Sequence, residues 1–147
     1  MKRNERVGRR AAGGHEGELD VVAFNPKTKH LIHVETSTDA DSWAGREKRF
    51  SKKFSSGTKH IEALFEGLTV PDEAENKAIF AFGSDKNHKT VGGGQVFLAE
   101  DFILEILHEL KSTSLSSRAV PEKYPILRTL HMITGHRKKI VSELKKK

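Results

Sequence analysis

The sequence contains no cysteine and no long hydrophobic run. Without cysteine, disulfides and thiolate metal sites are excluded, so a cytoplasmic location is the natural expectation, with association to the nucleoid compatible with it. No apolar stretch approaches the length of a membrane span, and the initial Met-Lys-Arg is not followed by the apolar core of a signal peptide. We therefore expect no membrane partner.

The composition is that of a globular protein on the polar side. The chain has 147 residues, of which 35% are hydrophobic and 31% are charged. This length suits one domain with a core of its own. We predict a single domain over residues 1–135, in which residues 1–15 form a basic N-terminal arm, and a basic C-terminal tail over residues 136–147.

Positive charge is concentrated at the two ends of the chain. Residues 1–15 carry five Lys or Arg against one Glu, and residues 136–147 carry six against one. The net charge of the whole chain is +6, so the middle of the sequence is slightly acidic. Basic segments around an acidic middle suit a polyanion that also meets a cation, and they indicate nucleic acid as a partner. The alternative is that both ends are solvated tails.

Two short apolar runs predict a β-hairpin. Residues 19–24 and 31–34 are rich in aliphatic and β-branched side chains, and the turn-rich segment 25–29 separates them. Asp20 lies near the start of the first strand and Glu35 near the end of the second, so the hairpin brings the two carboxylates side by side. A charge within an apolar strand is costly unless it is paired or bound to metal. The pair predicts a site for one cation; the alternative is two strand-end residues on a solvated face.

His33 shares a strand face with Glu35, because successive strand residues point to opposite sides. Two interpretations remain open for it. The imidazole either packs against the sheet as a neutral histidine, or lies behind a metal ligand and carries protons.

The remaining elements follow from apolar spacing and turn residues. After a segment at 38–42 that is rich in capping residues, apolar side chains recur at helical spacing, and Ser55-Ser56-Gly57 could break this helix in two. Residues 77–82 and 95–98 read as strands, and helices follow from residue 100 or 101 and from 121 to 135, with a loop at 111–119 between them. The order β-β-α-β-β-α-α predicts an α/β (α+β mixed) fold with a central mixed sheet, an N-terminal β-hairpin and flanking helices.

This pattern resembles the PD-(D/E)XK, or restriction-endonuclease-like, nuclease superfamily. An acidic residue stands on the first hairpin strand, and a Glu ends the second. Within the superfamily, Gly13-Gly14-His-Glu-Gly-Glu-Leu-Asp20 is similar to the glycine-rich approach to the metal-binding Asp of Mrr-type restriction endonuclease domains, and 95–107 resembles their last strand and helix. The likeness covers roughly residues 13–110.

The resemblance implies a metal-dependent deoxyribonuclease. Asp20 and Glu35 would hold Mg²⁺, with Mn²⁺ as an alternative ion, and the metal would activate a water for attack on phosphorus. Glu18 would be a further ligand. Hard carboxylate oxygens are what Mg²⁺ prefers.

The chain departs from the family pattern at position 37. The family has a Lys two residues after the Glu, and this chain has Ser37 there. Either a cation comes from elsewhere or the protein is catalytically degenerate. The predicted helix after Glu35 offers four cations, of which we favour Lys48, with Lys52 one turn further; the other two are Arg46 and Arg49. The family's usual helix before the first strand is also missing.

The expected function is therefore a Mg²⁺-dependent DNA endonuclease, and the alternative is a degenerate relative that binds nucleic acid without cutting it. A homodimer or a larger complex remains an open alternative to a monomer. The basic residues expected to contact nucleic acid are Arg9, Arg10, Arg46, Arg49, Lys53, Lys86, Lys89, Arg137, Lys138 and Lys139.

Overall fold

The structure is a computed structural model that describes residues 1–112 and 120–146. It divides into two compact units, Met1–Ala99 and Glu100–Lys147. Most of the predicted loop at 111–119 lies outside the described residues, as does Lys147. No described helix combines the length and the apolar character that a membrane span requires.

The first unit is a six-stranded sheet with one long helix. Its elements are β1 (Lys2–Arg9), β2 (His15–Asn25), β3 (His30–Ser37), α1 (Trp43–Leu64), β4 (Glu75–Phe80), β5 (Thr90–Val91) and β6 (Gly94–Leu98). The strand order is β1-β2-β3-β4-β6-β5. The pairs β1–β2, β2–β3 and β5–β6 are antiparallel, whereas β3–β4 and β4–β6 are parallel. The predicted mixed α/β class is thereby confirmed, while the restriction-endonuclease-like assignment stays a prediction.

The second unit contains only helices among its described residues. They are α2 (Ala99–Lys111), which starts at the unit boundary, α3 (Pro125–Gly135) and α4 (Arg137–Leu144). Proline opens α3 because its missing N–H would have no partner in the first helical turn. Residues 136–147 were expected to form a basic tail, and the structure instead has α4 over most of that segment.

The predicted hairpin of β2 and β3 is present. Its turn is closed by the Asn25 side chain, whose Oδ1 accepts a hydrogen bond of 3.0 Å from the Lys27 N–H. Lys29 has a positive φ of 55°, which reverses the chain into β3. The pairing then runs from Asn25 opposite His30 to Val21 opposite Val34. This register decides which residues meet at the far end of the hairpin.

The helix α1 packs its apolar stripe onto the sheet and continues unbroken through residues 55–57. Phe50, Phe54 and Ile61 of this stripe are buried, and full burial of such a side chain contributes about 1.5–3 kcal/mol relative to leaving it exposed. The Ser42 hydroxyl caps the helix by accepting a hydrogen bond of 3.2 Å from the Gly45 N–H. Two apolar clusters result, one around Ile61 with β1–β3 and one around Phe50 and Phe54 with β4–β6.

The expected basic arm at residues 1–15 needs correction, because residues 2–9 form the edge strand β1. Glu5 lies opposite Leu19, and Val7 lies opposite Gly17 on β2. Val7 is the one buried residue of β1, and most of its other positions are charged and exposed. An edge strand with a single buried side chain carries almost no apolar alternation, so a strand at residues 2–9 could not be predicted from the apolar pattern.

Candidate functional site

The strands β2 and β3 stop pairing where Asp20 and Glu35 face each other. The regular register ends at Val21 opposite Val34. Beyond it, the Asp20 N–H donates to Glu35 Oε1 at 3.1 Å. In the other direction, Asp20 Oδ2 accepts hydrogen bonds from the Thr36 N–H at 2.7 Å and the Thr36 hydroxyl at 2.9 Å. In each strand, a side-chain carboxylate thus accepts the hydrogen bond from the opposite strand that a backbone carbonyl would accept in a regular β-ladder.

Lys53 of α1 contacts both carboxylates. Its Nζ lies 3.3 Å from Asp20 Oδ1 and donates a short hydrogen bond to Glu35 Oε2. Each carboxylate therefore has one oxygen fixed by neighbouring N–H or O–H donors and the other oxygen directed at the same cation. The hairpin thus places the two acidic residues side by side, as the sequence predicts, and the cation that they share in the structure is the Lys53 ammonium.

Asp20, Glu35 and Lys53 form a partly buried charged centre, and burial makes it costly to leave any of these charges unpaired. The Glu35 side chain is 0% exposed, and that of Lys53 is 28% exposed. A buried carboxylate requires hydrogen bonds and a counter-charge to offset the loss of water. Glu35 has three such partners: the Asp20 N–H, Lys53 and His33.

The pKa shifts follow from these contacts. Burial raises the pKa of Asp20, but the hydrogen bonds from Thr36 and the charge of Lys53 outweigh it, so that the pKa lies below its usual range. Burial lowers the pKa of Lys53, but the hydrogen bond and charge of Glu35, with those of Asp20, raise it above its usual value. Asp20 and Lys53 are therefore both charged at neutral pH.

His33 is fully buried beside Glu35. Its Nε2 lies 2.8 Å from Glu35 Oε1, and its ring meets the Phe54 ring edge-on, with 5.2 Å between centroids. The histidine thus both packs against the sheet, as one interpretation predicted, and contacts a predicted metal ligand, as the other did.

A cleft of about 470 Å³ opens onto the centre. It is lined by Glu16, Gly17, Glu18, Asp20, Arg49, Lys52, Lys53 and Ser56. One wall is the β2 segment with its acidic side chains, and the other is α1 with its cations. A bound phosphate and a divalent cation require complementary walls of this kind.

At the rim of the cleft, Glu16 is held by two residues of α1. Its Oε2 lies 2.7 Å from Lys59 Nζ and 3.0 Å from His60 Nε2. The hydrogen bond from Lys59, followed by that from His60, lowers the pKa of Glu16 to about 2. Glu16 is therefore tied to the helix, whereas Glu18 is exposed along the same cleft.

The favoured cation is corrected from Lys48 to Lys53. Lys48 and Lys52 are both exposed, and Lys53 is the helix cation that reaches Asp20 and Glu35. The reason is helical phase: position 53 borders the buried stripe of Phe50 and Phe54, while positions 48 and 52 lie near the opposite face. A search for a cation beside the apolar stripe, rather than for the one nearest Glu35 in sequence, would have selected Lys53.

Arg46 was expected to contact nucleic acid, but it is only 4% exposed. Its Nη2 donates to the backbone oxygens of Asp39, at 3.1 Å, and Phe82, at 3.0 Å. The guanidinium also lies 4.4 Å from the centroid of the Phe80 ring. Arg46 therefore joins the loop before α1 to the loop after β4, and it is not available to a polyanion.

Ser37 contacts Arg49 rather than the two carboxylates. The Arg49 Nη2 donates to Ser37 Oγ at 3.2 Å and to Asp39 Oδ1 at 3.0 Å. The hydrogen bond from Arg49 holds the pKa of Asp39 below its usual range. Arg49 is half-buried at the cleft, with part of its charge already matched by Asp39.

The other basic residues of the nucleic-acid prediction are exposed. Arg9 ends β1 and Arg10 follows it directly. Lys86 and Lys89 lie in the loop between β4 and β5, where Lys89 pairs with Asp85 at 2.6 Å. Three more belong to α4 of the second unit: Arg137, Lys138 and Lys139. Their contact with nucleic acid stays a prediction.

Within the described ranges, no group of three or more His, Cys, Asp or Glu side chains is arranged to hold a metal ion. The candidate metal ligands are the pair Asp20 and Glu35. Glu18, which was expected as a further ligand, does not form a group with them. Comparison of the chain with protein-family models, with curated proteins and with solved structures found no match. Fold and site together define a mixed α/β protein with a half-buried carboxylate–lysine centre at the point where two strands separate.

Proposed function

We propose that this protein is a Mg²⁺-dependent endonuclease that hydrolyses phosphodiester bonds of DNA, with its active site at Asp20, Glu35 and Lys53. One observation carries the proposal. Asp20 Oδ1 and Glu35 Oε2 both face the same positive charge, while the other oxygen of each carboxylate is occupied by hydrogen bonds. Two fixed, hard oxygens aimed at one point suit a divalent cation.

The donor set fits Mg²⁺ in its chemistry. Asp20 and Glu35 would supply two carboxylate oxygens and leave the remaining positions to water and phosphate, as Mg²⁺ prefers. When bound, the metal supplies Lewis-acid polarisation of the phosphate and a more acidic water. The ammonium of Lys53 is the protein's own cation at this place, and it would meet negative charge that develops on the phosphate.

A second candidate function is nucleic-acid binding without cleavage. Two observations favour it: the described residues offer only two close acidic donors, and Ser37 stands where the family has its Lys. In that case the Lys53 contacts would be a permanent structural ion pair. Buried ion pairs of this kind also occur in proteins as structural features.

The test is a cleavage assay on supercoiled plasmid and on single-stranded DNA, with Mg²⁺, with Mn²⁺ and with a chelator. We expect nicking that requires the metal and is abolished in Asp20→Asn and Glu35→Gln, with DNA affinity retained. Glu75→Gln is the matched control, because Glu75 is an exposed strand carboxylate paired with His30 and Lys77. DNA binding with no cleavage under any condition would favour the second function, and no DNA binding would contradict both.

A further inference from the structure

His33 is a fully buried polar residue that the proposed chemistry does not itself use. It is 0% exposed, and its Nε2 lies 2.8 Å from Glu35 Oε1. Both Glu35 oxygens accept hydrogen bonds from other donors, Oε1 from the Asp20 N–H and Oε2 from Lys53, so we assign the N–H of the imidazole to Nε2 as the donor. Water does not compete for this bond, because both side chains are excluded from solvent.

The helix α1 fixes the orientation of the His33 ring. A Cβ atom at position 57 would stand 2.4 Å from His33 Cε1 and 2.5 Å from Nδ1, so only glycine leaves room for the ring there. The Phe54 ring, one turn earlier on α1, meets the imidazole nearly at a right angle. Nδ1 is buried with no hydrogen-bond partner among the described residues. Packing, rather than a second hydrogen bond, therefore holds the imidazole in place.

We infer that His33 is a positioning residue, which turns the Glu35 carboxylate so that Oε2 faces the cation site. Glu35 Oε1 accepts one N–H from the Asp20 backbone and one from His33, and these two bonds set the rotation of the carboxylate. Without the imidazole donor, one of the two anchors is lost. The inference rests on the proposed function for its catalytic meaning, but the orientation of Glu35 is testable without any metal.

The first experiment compares His33→Leu with His33→Gln. Gln carries an amide N–H at a distance along the side chain similar to that of Nε2, whereas Leu fills space and donates nothing. Mn²⁺ affinity is measured by titration calorimetry and cleavage rate at saturating DNA. Loss of a residue behind a metal ligand typically lowers affinity or activity about 10- to 100-fold. We expect a loss of this size in His33→Leu and recovery of most of it in His33→Gln.

Leu31→Ala is the matched control for lost packing. Leu31 is buried on the same face of β3, and its side chain has no polar group. We expect this variant to lose stability but to keep the Mn²⁺ affinity of the wild type. Equal Mn²⁺ affinity in folded His33→Leu and wild type would overturn the inference, as would equal losses in the Leu and Gln variants.

The second experiment needs no metal. A double-mutant cycle combines His33→Leu with Lys53→Met and measures the free energy of unfolding by urea. If His33 orients Glu35 towards Lys53, the two changes are not additive, although His33 acts on Lys53 only through Glu35. Additive losses would overturn the inference. If the wild type binds no Mn²⁺, the proposed metal-dependent function is wrong. The double-mutant cycle would then be the only test of whether His33 orients Glu35.

Discussion

The backbone N–H of Asp20 donates a hydrogen bond to Glu35 Oε1 across the gap where β2 and β3 separate. The backbone of one acidic residue thereby fixes the side chain of the other. The strand separation and the carboxylate geometry are one feature, because the hydrogen bonds that the ladder loses there are made by the two carboxylates. A change at either residue will affect both the strand ends and the cation site.

Replacing Lys53 by Met should separate catalysis from metal binding. Removal of a donor that meets developing charge costs about 10²–10³ in rate. At the same time, the two carboxylates lose their internal cation, so Mn²⁺ affinity should rise. The measurements are the single-turnover rate at saturating DNA and calorimetric titration with Mn²⁺.

Lys48→Met is the control for that prediction, since Lys48 is an exposed cation of the same helix that does not line the cleft. It should retain the cleavage rate and leave Mn²⁺ affinity unchanged. A rate in Lys53→Met equal to that of the wild type would show that the ammonium has no part in the reaction.

Replacing Arg46 by Met should destabilise the protein without a specific loss of DNA affinity. The change removes the hydrogen bonds from the guanidinium to the backbone oxygens of Asp39 and Phe82, and a hydrogen bond that involves a charged group typically contributes about 1.5–3 kcal/mol. Urea unfolding measures the loss, and Lys48→Met serves as an exposed control expected within about 0.5 kcal/mol of the wild type. If the Arg46→Met variant folds with unchanged stability but binds DNA more weakly, Arg46 contacts nucleic acid after all.

Glu16 should contribute to stability in a way that depends on pH. Its pKa is lowered to about 2 in the folded protein, so its contribution is present above the ordinary carboxylate range and is lost as pH falls to about 2. The difference in unfolding free energy between wild type and Glu16→Gln should therefore shrink between about pH 4.5 and about pH 2.

The same comparison in a Lys59→Gln background gives the control, because the Lys59 hydrogen bond is the first cause of the shift. The pH dependence should be weaker there. An equal pH dependence in both backgrounds would mean that Lys59 does not set the pKa of Glu16.

DNA affinity should fall steeply with salt. Each neutralised phosphate contributes a slope of about −0.9 in log K against log salt. If the basic first turn of α4 contacts DNA, replacing Arg137, Lys138 and Lys139 by Gln should reduce the slope by about 0.9 per lost contact and weaken all DNA sequences alike. Lys27→Gln, in the hairpin turn, is the control. An unchanged slope would remove α4 from the binding surface.

The acidic pair could be predicted from the sequence because a hairpin has a fixed register. Strand alternation and a five-residue turn placed Asp20 and Glu35 together without any knowledge of the rest of the fold. Lys53 could not be placed in the same way. Its contact depends on how α1 is rotated against the sheet, and that rotation is set by the packing of Phe50 and Phe54 on distant strands.

β1 and the buried state of Arg46 were missed for a related reason. The local sequence shows that a residue is charged. It does not distinguish a charged residue on an edge strand from one in an exposed loop or from one that is buried beneath a loop. Arg46 is buried because the oxygens of Asp39 and Phe82 converge on it from separate segments. Such convergence is a property of the tertiary fold alone.

β1 also bears on how the edge of the sheet is kept from pairing with another chain. It lies at one end of the strand order, so its outer edge offers backbone groups to any extended chain. Positive φ angles at Asn4 and Gly8 interrupt the extended run and leave only residues 5–7 regular between them. Lys2, Arg3, Arg6 and Arg9 are exposed along the strand, and a second copy would bring the same charges against them. The edge strand β1 therefore has features that disfavour the addition of a further strand from another chain, and so disfavour aggregation.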